Sequence, residues 1–209
     1  MDRKIVLIGG GGHCKSVLDC LLRTGIYDEI VLTDPDIPAG SVIMGCRAAG
    51  NDDMLPELFR QGFSDAFITV GSIQSTKLRR ILFRKAQEIG FRLPNIVDPS
   101  AAVSEFAELG QGIFIGKQAV VNAEAVIGDA AIINSAAVIE HECRVGSFTH
   151  VSVNAALCGN VSVGDDSFIG AGAVIIQGIR IGDGAVIGAG STVICDVADG
   201  VTRAGLVKL

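Results

Sequence analysis

The sequence is poor in aromatic and charged residues. Aromatic side chains make up 5% of the 209 residues and tryptophan is absent, whereas glycine occurs 27 times. A core with so few rings must be built from small and aliphatic side chains, which argues against an ordinary helical bundle or sandwich. With 49% hydrophobic and only 19% charged residues, the composition also excludes a disordered chain.

An excess of basic residues is also lacking. The chain has 17 Lys and Arg against 23 Asp and Glu, which gives a formal net charge of −6. Proteins that bind nucleic acids need positive charge for the phosphate backbone. We therefore expect no nucleic-acid partner, while local sites for small anions stay open.

No stretch of the sequence is suited to crossing a membrane. Residues 145–164 contain no Asp, Glu, Lys or Arg, but polar side chains such as His150 and Asn154 interrupt them. Such a stretch does not form a bilayer span. The apolar run at residues 5–8 is too short for the core of a signal peptide. We expect a cytoplasmic protein without membrane insertion.

The cysteines form no C-x-x-C pair and lie among apolar neighbours. This distribution favours reduced, mostly buried thiols over disulfides or a zinc site. The cysteines are Cys14, Cys20, Cys46, Cys143, Cys158 and Cys195.

An aliphatic residue recurs at every sixth position from Val103 to Val193. The residue two places before it is mainly small, as at Ala119 and Ala137, and the residue after it is often glycine, as at Gly146. A period of six fits neither a helix nor an alternating hairpin, but it fits short strands and tight turns wound into a prism. We predict about five coils of three faces, with aliphatic side chains inside and these glycines at positive φ.

Residues 1–97 have no such repeat and alternate between strand and helix patterns. They predict a β-α-β-α-β-α order and a small parallel, Rossmann-like sheet. The chain therefore divides into residues 1–97 and residues 98–209. The predicted strands are residues 4–8, 29–33 and 65–70, and the predicted helices are residues 14–22, 51–61 and 75–89.

Four glycines at residues 9–12 lie between the first predicted strand and helix. A glycine turn before a helix N-terminus is a generic phosphate cradle, because its free N–H groups face the anion. Asp34 ends the second strand, where ribose or base contacts are usual in such folds. Cys14 replaces the third glycine of G-x-G-x-x-G, so we favour the diphosphate of a nucleotide-sugar over a dinucleotide.

The chain has three histidines, His13, His141 and His150. A lone histidine is more often structural than catalytic, but His141 stands at a turn where the repeat favours Gly, Asn or Asp. Glu142 beside it could orient the ring and raise its basicity, as a general base requires. His150 lies nine residues on, hence on another face. The two can converge only across a groove between subunits.

These features together resemble a known family. The hexapeptides look like the left-handed parallel β-helix of hexapeptide acyltransferases, which are typically trimers. With the glycine loop and the Ile-Glu-His-Glu-Cys stretch ending at Cys143, nearly the whole chain resembles bacterial sugar acetyltransferases. This group includes enzymes that acetylate the 4-amino group of a UDP-linked sugar and sialic acid O-acetyltransferases.

The resemblance implies acetyl-CoA as co-substrate, no metal, and active sites between the subunits of a homotrimer. His141 would be the base, with Glu142 beside it, and the Gly159 N–H would stabilise the oxyanion. The acetyl-CoA contacts would be His150, Ala171 and Ala189. The nucleotide-sugar contacts would be Gly11, Gly12 and His13 at the diphosphate, Asp34 at the nucleoside, Gly71 beneath it, and Asn134.

Several alternatives stay open at this point. The preferred function is N-acetylation of a UDP-, dTDP- or GDP-linked 4-amino-sugar by direct attack. The alternatives are O-acetylation of a sialic-acid-like sugar and a trimeric structural solenoid without catalysis. A covalent route through Cys143 or Cys158 is the rival mechanism.

The sequence departs from the family at three places. Asp98 stands where relatives often have histidine, which is expected to alter the wall on the sugar side. Pro35 follows Asp34 where a second acidic residue can occur, so the choice of base is open. Residues 203–209 lack the usual ending and are expected to form a short C-terminal tail.

Overall fold

The structure, a computed structural model, describes residues 3–71 and 75–208. These residues form two compact units. Residues 3–71 and 76–96 make up the first unit, and residues 97–208 with residue 75 make up the second.

The described part of the first unit contains a small sheet with helices. The strands have the order β3-β4-β2-β1-β5, and all neighbouring pairs are parallel except β3 with β4. The elements are β1 (Lys4–Ile8), α1 (Gly12–Thr24), β2 (Glu29–Thr33), β3 (Val42–Ile43), β4 (Cys46–Gly50), a 3-10 turn (Asp52–Met54), α2 (Leu55–Arg60), β5 (Asp65–Ile68) and α3 (Lys77–Ile89).

The hairpin of β3 and β4 was not predicted. Its turn consists of Met44 and Gly45, both at positive φ (48° and 84°). Such a turn normally carries Asn-Gly or Asp-Gly, and its absence here removed the sequence signal. The sheet is therefore parallel with one antiparallel strand at its edge.

Two predicted strands, the predicted cap at Asn51 and the predicted helix end at Gly90 are confirmed. β1 and β2 have the predicted bounds, and Ile5 through Ile8 are fully buried, as expected of an inner parallel strand. The Asn51 side chain accepts a hydrogen bond from the N–H of Asp53, which caps the following turn. Gly90 ends α3 in the left-handed conformation.

The second unit is a parallel β-helix of two-residue strands, the first of which begins at Ile96, the last residue of the first unit. The strands are β6 (Ile96–Val97), β7 (Ala102–Val103), β8 (Glu108–Leu109), β9 (Phe114–Ile115), β10 (Val120–Val121), β11 (Val126–Ile127), β12 (Ile132–Ile133), β13 (Val138–Ile139), β14 (Arg144–Val145), β15 (His150–Val151), β16 (Ala156–Leu157), β17 (Ser162–Val163), β18 (Phe168–Ile169), β19 (Val174–Ile175), β20 (Arg180–Ile181), β21 (Val186–Ile187), β22 (Thr192–Val193), β23 (Thr202–Arg203) and β24 (Leu206–Val207).

These strands form three faces of a prism in the described residues. The first face holds β6, β9, β12, β15, β18, β21 and β23; the second holds β7, β10, β13, β16, β19, β22 and β24; the third holds β8, β11, β14, β17 and β20. Each strand pairs in parallel with the strand one coil later, as Val121 does with Ile139. The predicted inward aliphatic residues are buried from Ile115 through Val193.

The role predicted for the glycines that follow the aliphatic residues is wrong. Positive φ occurs at every sixth residue from Gln118 to Gly190, two places beyond those glycines. The glycines are needed instead because successive coils approach closely. A Cβ on Gly146 would lie 2.5 Å from the backbone N of Asp165 in the next coil. Thus a side chain at this position would push the coils apart.

The residues expected to form a C-terminal tail complete a last coil. β23 pairs with β21, and β24 pairs with β22. Ile187 pairs with Arg203, and Val193 pairs with Val207. The sequence separation within each of these pairs is shorter than the 18 residues that separate Val121 from its partner Ile139. This shortening hides the repeat, although Val207 is buried inside the prism.

Asp98 lies at the first turn of the prism. Its carboxylate is buried and its Oδ1 accepts hydrogen bonds from the N–H (2.9 Å) and the hydroxyl (2.6 Å) of Ser100. The side chain therefore holds this turn.

Candidate active site

A cavity of about 270 Å³ lies in the first unit, at the carboxyl ends of the strands. Ligands of open α/β sheets usually bind at this edge. Five residues predicted to contact the nucleotide-sugar line it: Gly11, Gly12, His13, Asp34 and Gly71.

The N-terminus of α1 opens into this cavity. Gly11 is the residue before the helix, and no side chain caps it. The first turn of α1 carries no acidic residue that would repel an anion. A Cβ on Gly11 or Gly12 would meet no atom within 4 Å, so the space above both residues is open. The geometry suits a phosphate, which binds the free N–H groups at a helix start.

The other two glycines of the loop have a packing role. Gly9 has φ +108°, and a Cβ on it would lie 2.7 Å from Cγ2 of Val70. A Cβ on Gly10 would collide with the side chain of Ile37. These two residues let β1 turn tightly against its neighbours, whereas Gly11 and Gly12 leave room for a ligand.

Asp34 holds the glycine loop as well as lining the cavity. Its Oδ2 accepts the N–H of Gly10 (2.7 Å), and its Oδ1 accepts the N–H of Asp36 (2.8 Å). The carboxylate thereby fixes the loop, and each oxygen keeps a lone pair for a ligand donor.

His141 lies at the corner between the second and third faces, in the turn between β13 and β14. Its Nδ1 is 3.0 Å from Oε2 of Glu142, and both side chains are exposed, at 60% and 57%. The backbone N–H of His141 donates to Oε2 of Glu140 (3.2 Å). When Nδ1–H donates to Glu142, Nε2 carries the lone pair that a general base needs.

Gly159 lies one coil after His141 at the same corner. A Cβ on Gly159 would be 2.6 Å from Cε1 and 2.7 Å from Nε2 of the His141 ring. The ring therefore lies directly against the glycine backbone. In the described part of the chain, no group accepts the Gly159 N–H. The base and an available amide donor are thus adjacent.

Cys143, at this corner, does not fit a nucleophile. Cys143 is fully buried, and burial raises the pKa of its thiol. A thiol that keeps its proton is a poor nucleophile. Its Sγ lies 3.1 Å from the carbonyl oxygen of Cys158. The cysteines of the described chain are all free, as predicted.

The residues predicted to bind acetyl-CoA lie elsewhere on the prism. His150 is on the first face, where it is largely buried, with Nε2 3.3 Å from Nδ2 of Asn134 and its ring edge-on to Phe168. Ala171 and Ala189 lie on successive coils at the corner between the first and second faces, joined by Gly190 N–H donating to the Ala171 carbonyl (2.8 Å). One chain therefore does not bring them to His141.

A broader depression of about 480 Å³ covers the third face. Arg144, Arg180, Asp165 and Asp183 line it. It contains none of the predicted site residues. Among residues 3–71 and 75–208, no cluster of three His, Cys, Asp or Glu could hold a metal ion. Within the same residues, no helix is both long and apolar enough to span a bilayer.

Some lining residues were not predicted. Thr69, Asp36, Asp52, Leu78 and Leu82 also line the cavity of the first unit. Asp36 lies two residues after Asp34, and Thr69 lies two residues before Gly71. Their closeness in sequence to these predicted contacts could have identified them. Leu78 and Leu82 could not be found in this way, because α3 brings them from a distant segment.

A prism of hexapeptide coils with a His–Glu pair against an unpaired backbone amide defines a hexapeptide-repeat acyltransferase. The family comparisons agree with this class. Residues 4–86 match the model of the PglD N-terminal domain, and residues 160–195 match the bacterial transferase hexapeptide model of six repeats. No sequence among the curated proteins matches the chain.

Solved structures resemble the chain over almost its whole length. The H141N mutant of perosamine N-acetyltransferase from Caulobacter crescentus, in complex with CoA and GDP-perosamine, is 40% identical with a TM-score of 0.89, covering 97% of this chain and 93% of that one. The acetyltransferase domain of PglB from Neisseria gonorrhoeae, in complex with acetyl coenzyme A, is 38% identical with a TM-score of 0.91, covering 98% and 97%. PerB from Caulobacter crescentus, with CoA and GDP-perosamine, is 35% identical with a TM-score of 0.77, covering 97% and 94%.

The chain therefore belongs to the bacterial sugar acetyltransferases of the hexapeptide-repeat superfamily, with their left-handed β-helix. It is a transferase. The alternative of a structural solenoid without catalysis is accordingly wrong.

Proposed function

We propose that the protein transfers the acetyl group of acetyl-CoA to the 4-amino group of a nucleotide-linked sugar. The observation that carries this proposal is the corner where the His141 ring lies against Gly159 while Glu142 contacts Nδ1. Relatives solved with acetyl coenzyme A or with CoA and GDP-perosamine support the choice of substrates. The base of the nucleotide is left to experiment.

The reaction follows from the groups at this corner. The sugar amine attacks the thioester carbonyl carbon, and Nε2 of His141 takes a proton from the amine. The Gly159 N–H stabilises the oxyanion that forms. When the intermediate collapses, the C–S bond breaks and the CoA sulfur receives the proton from His141. Glu142 holds the ring throughout with its Nδ1 contact.

The first unit would hold the nucleoside diphosphate. The open N-terminus of α1 at Gly11 and Gly12 suits the two phosphates, and His13 and Gly71 line the same cavity. Asp34 would accept a donor from the nucleoside. This division leaves the acyl chemistry to the second unit.

We further propose a homotrimer in which the second face lies toward the threefold axis. The corners that border this face carry His141 on one side, and Ala171 and Ala189 on the other. In a closed ring of three prisms, the corner that carries His141 in one subunit would meet the corner that carries Ala171 and Ala189 in its neighbour. This arrangement would complete a site that one chain leaves in two halves, with acetyl-CoA contacted by His150, Ala171 and Ala189 of the neighbouring subunit.

The side chains of the faces support this orientation. The third face exposes charged Glu108, Arg144 and Arg180. The outward residues of the second face are uncharged, namely Ala102, Val120, Val138, Ala156, Val174, Thr192 and Leu206. An uncharged face of this length suits burial between copies. The free cysteines agree with a reducing, cytoplasmic location.

The test measures acetyl transfer directly. Purified protein is incubated with acetyl-CoA and UDP-, dTDP- or GDP-linked 4-amino-sugars, and the products are identified by mass spectrometry. A sialic acid and a sugar that carries a 4-hydroxyl group test the O-acetylation alternative. We expect turnover with an amino-sugar, and a loss of about 100-fold or more in His141→Ala. No turnover with any amino-sugar, or full activity in His141→Ala, would refute the proposal.

A further inference from the structure

We propose that Cys143 is a positioning residue that strengthens the Gly159 N–H as an oxyanion donor. This inference rests on the proposed function, because it concerns the same reaction. The thiol never contacts a substrate. It acts through the single peptide group that joins Cys158 to Gly159.

The geometry links the thiol to the amide. Sγ of Cys143 lies 3.1 Å from the Cys158 carbonyl oxygen and 3.9 Å from that of Leu157, so the shorter contact is the hydrogen bond. The Cys158 carbonyl receives no backbone N–H within the described residues. Its peptide group carries the Gly159 N–H on the opposite side.

A hydrogen bond to a carbonyl polarises its whole peptide group. The carbonyl oxygen gains negative charge and the N–H becomes a stronger donor, so bonds in a chain reinforce each other. Burial keeps the Cys143 thiol protonated, and a protonated thiol is the form that donates. The thiol would therefore stabilise the oxyanion through the peptide group without a contact to it.

The alternative is that the thiol only satisfies a buried carbonyl. The same bond recurs elsewhere in the prism, because the Ser167 hydroxyl donates to the Gly182 carbonyl (2.8 Å), also fifteen residues ahead. Ser167 lies at a different corner from His141. Ser167→Ala is therefore a matched control that removes an equivalent bond away from the site.

The replacement at Cys143 is compatible with the fold. Ala125 occupies the same position one coil earlier and is fully buried. Cys143→Ala thus introduces a side chain that the prism already holds at this place. Cys143→Ser keeps a donor at the position and tests for rescue.

The experiment combines kinetics with amide NMR on the whole protein. We expect Cys143→Ala to lower kcat about twofold to tenfold, because it weakens one oxyanion donor without removing it. KM for both substrates should stay unchanged, since the thiol binds neither. Cys143→Ser should recover most of kcat, and Ser167→Ala should match the wild type. The ¹⁵N shift of the Gly159 amide should move in Cys143→Ala and not in Ser167→Ala.

The two readouts separate the two proposals. An unchanged Gly159 shift in Cys143→Ala would overturn the inference whether or not the enzyme turns over. An altered shift with unchanged kcat would also overturn it. A wild-type protein without transferase activity would instead refute the proposed function, and the shift would still decide whether the thiol polarises the amide.

Discussion

The imidazole of His141 occupies the place where a Cβ of residue 159 would stand. That Cβ would be 2.6 Å from Cε1 of the ring, well inside van der Waals contact. The glycine has no positive φ, so its backbone accepts alanine without strain. Gly159 is therefore required by the histidine ring and not by the turn.

Gly159→Ala should inactivate the enzyme without unfolding it. The methyl group would displace the exposed ring of His141 from the amide, and misplaced catalytic groups cost about 100-fold in rate. We expect kcat to fall by about that factor while the thermal midpoint changes little. Gly146→Ala is the contrast, because its Cβ would meet backbone of the next coil. That variant should lose stability, and a Gly159→Ala protein with wild-type kcat would contradict the arrangement.

Gly12→Ala should weaken nucleotide-sugar binding alone. Gly12 is the first residue of α1, and a Cβ there meets nothing within 4 Å. Alanine favours the helix, so stability should hold or rise slightly. The methyl group would enter the space proposed for the diphosphate, and we expect KM for the nucleotide-sugar to rise about tenfold or more. KM for acetyl-CoA serves as the internal control. Equal KM values for the nucleotide-sugar in the wild type and in Gly12→Ala would show that Gly12 does not take part in binding it.

Most of the prism could be predicted from the sequence because its register repeats at every sixth residue. The period places Ile139 inside and His141 at a corner without further information. The same period could not show whether the glycines are needed because successive coils approach closely or because the backbone has a positive φ, since both conditions favour glycine. It also failed beyond Val193, where shorter coils change the spacing.

The first unit shows a different limit. The strand and the glycine loop around Gly11 could be predicted because each is formed by residues that are adjacent in the sequence. The Met44–Gly45 hairpin has no usual turn signal, and Leu78 joins the cavity only through tertiary packing. Contacts between successive coils, such as Cys143 with Cys158, were hidden because they depend on distances and not on pattern.

Stability should fall at alkaline pH because of the buried Cys14. Burial raises the pKa of this thiol from 9.0 to about 11, with Asp34 adding to the effect and a Thr69 hydrogen bond opposing it. The folded state therefore keeps a proton that the unfolded chain releases near pH 9. The contribution is fully present below pH 9 and is lost as the pH rises to about 11. It amounts to about 3 kcal/mol.

Urea unfolding at pH 8 and pH 10.5 measures this loss. Cys14→Ala should show a smaller drop between the two pH values than the wild type. Val17→Ala removes buried atoms from the same helix without a titratable group, so its drop should equal that of the wild type. An identical drop in wild type and Cys14→Ala would assign the alkaline sensitivity to other groups.

Subunit mixing should restore activity if each site is shared between two chains. His141→Ala removes the base from one corner, and Ala189→Trp would block the proposed acetyl-CoA channel at the other. Each variant alone should be inactive. In trimers that are refolded from an equal mixture, a site works when an intact His141 corner meets an intact Ala189 corner. Random assembly gives this combination at about a quarter of the sites.

The second face provides an independent check of the same assembly. Val174 is 39% exposed and lies on that face. Val174→Glu would place a charge in the contact between copies, so light scattering should detect monomers with little activity. Arg180→Glu, on the third face, should remain trimeric. If mixed variants stay inactive while Val174→Glu remains a trimer, the second face does not form the contact and the site does not combine two subunits.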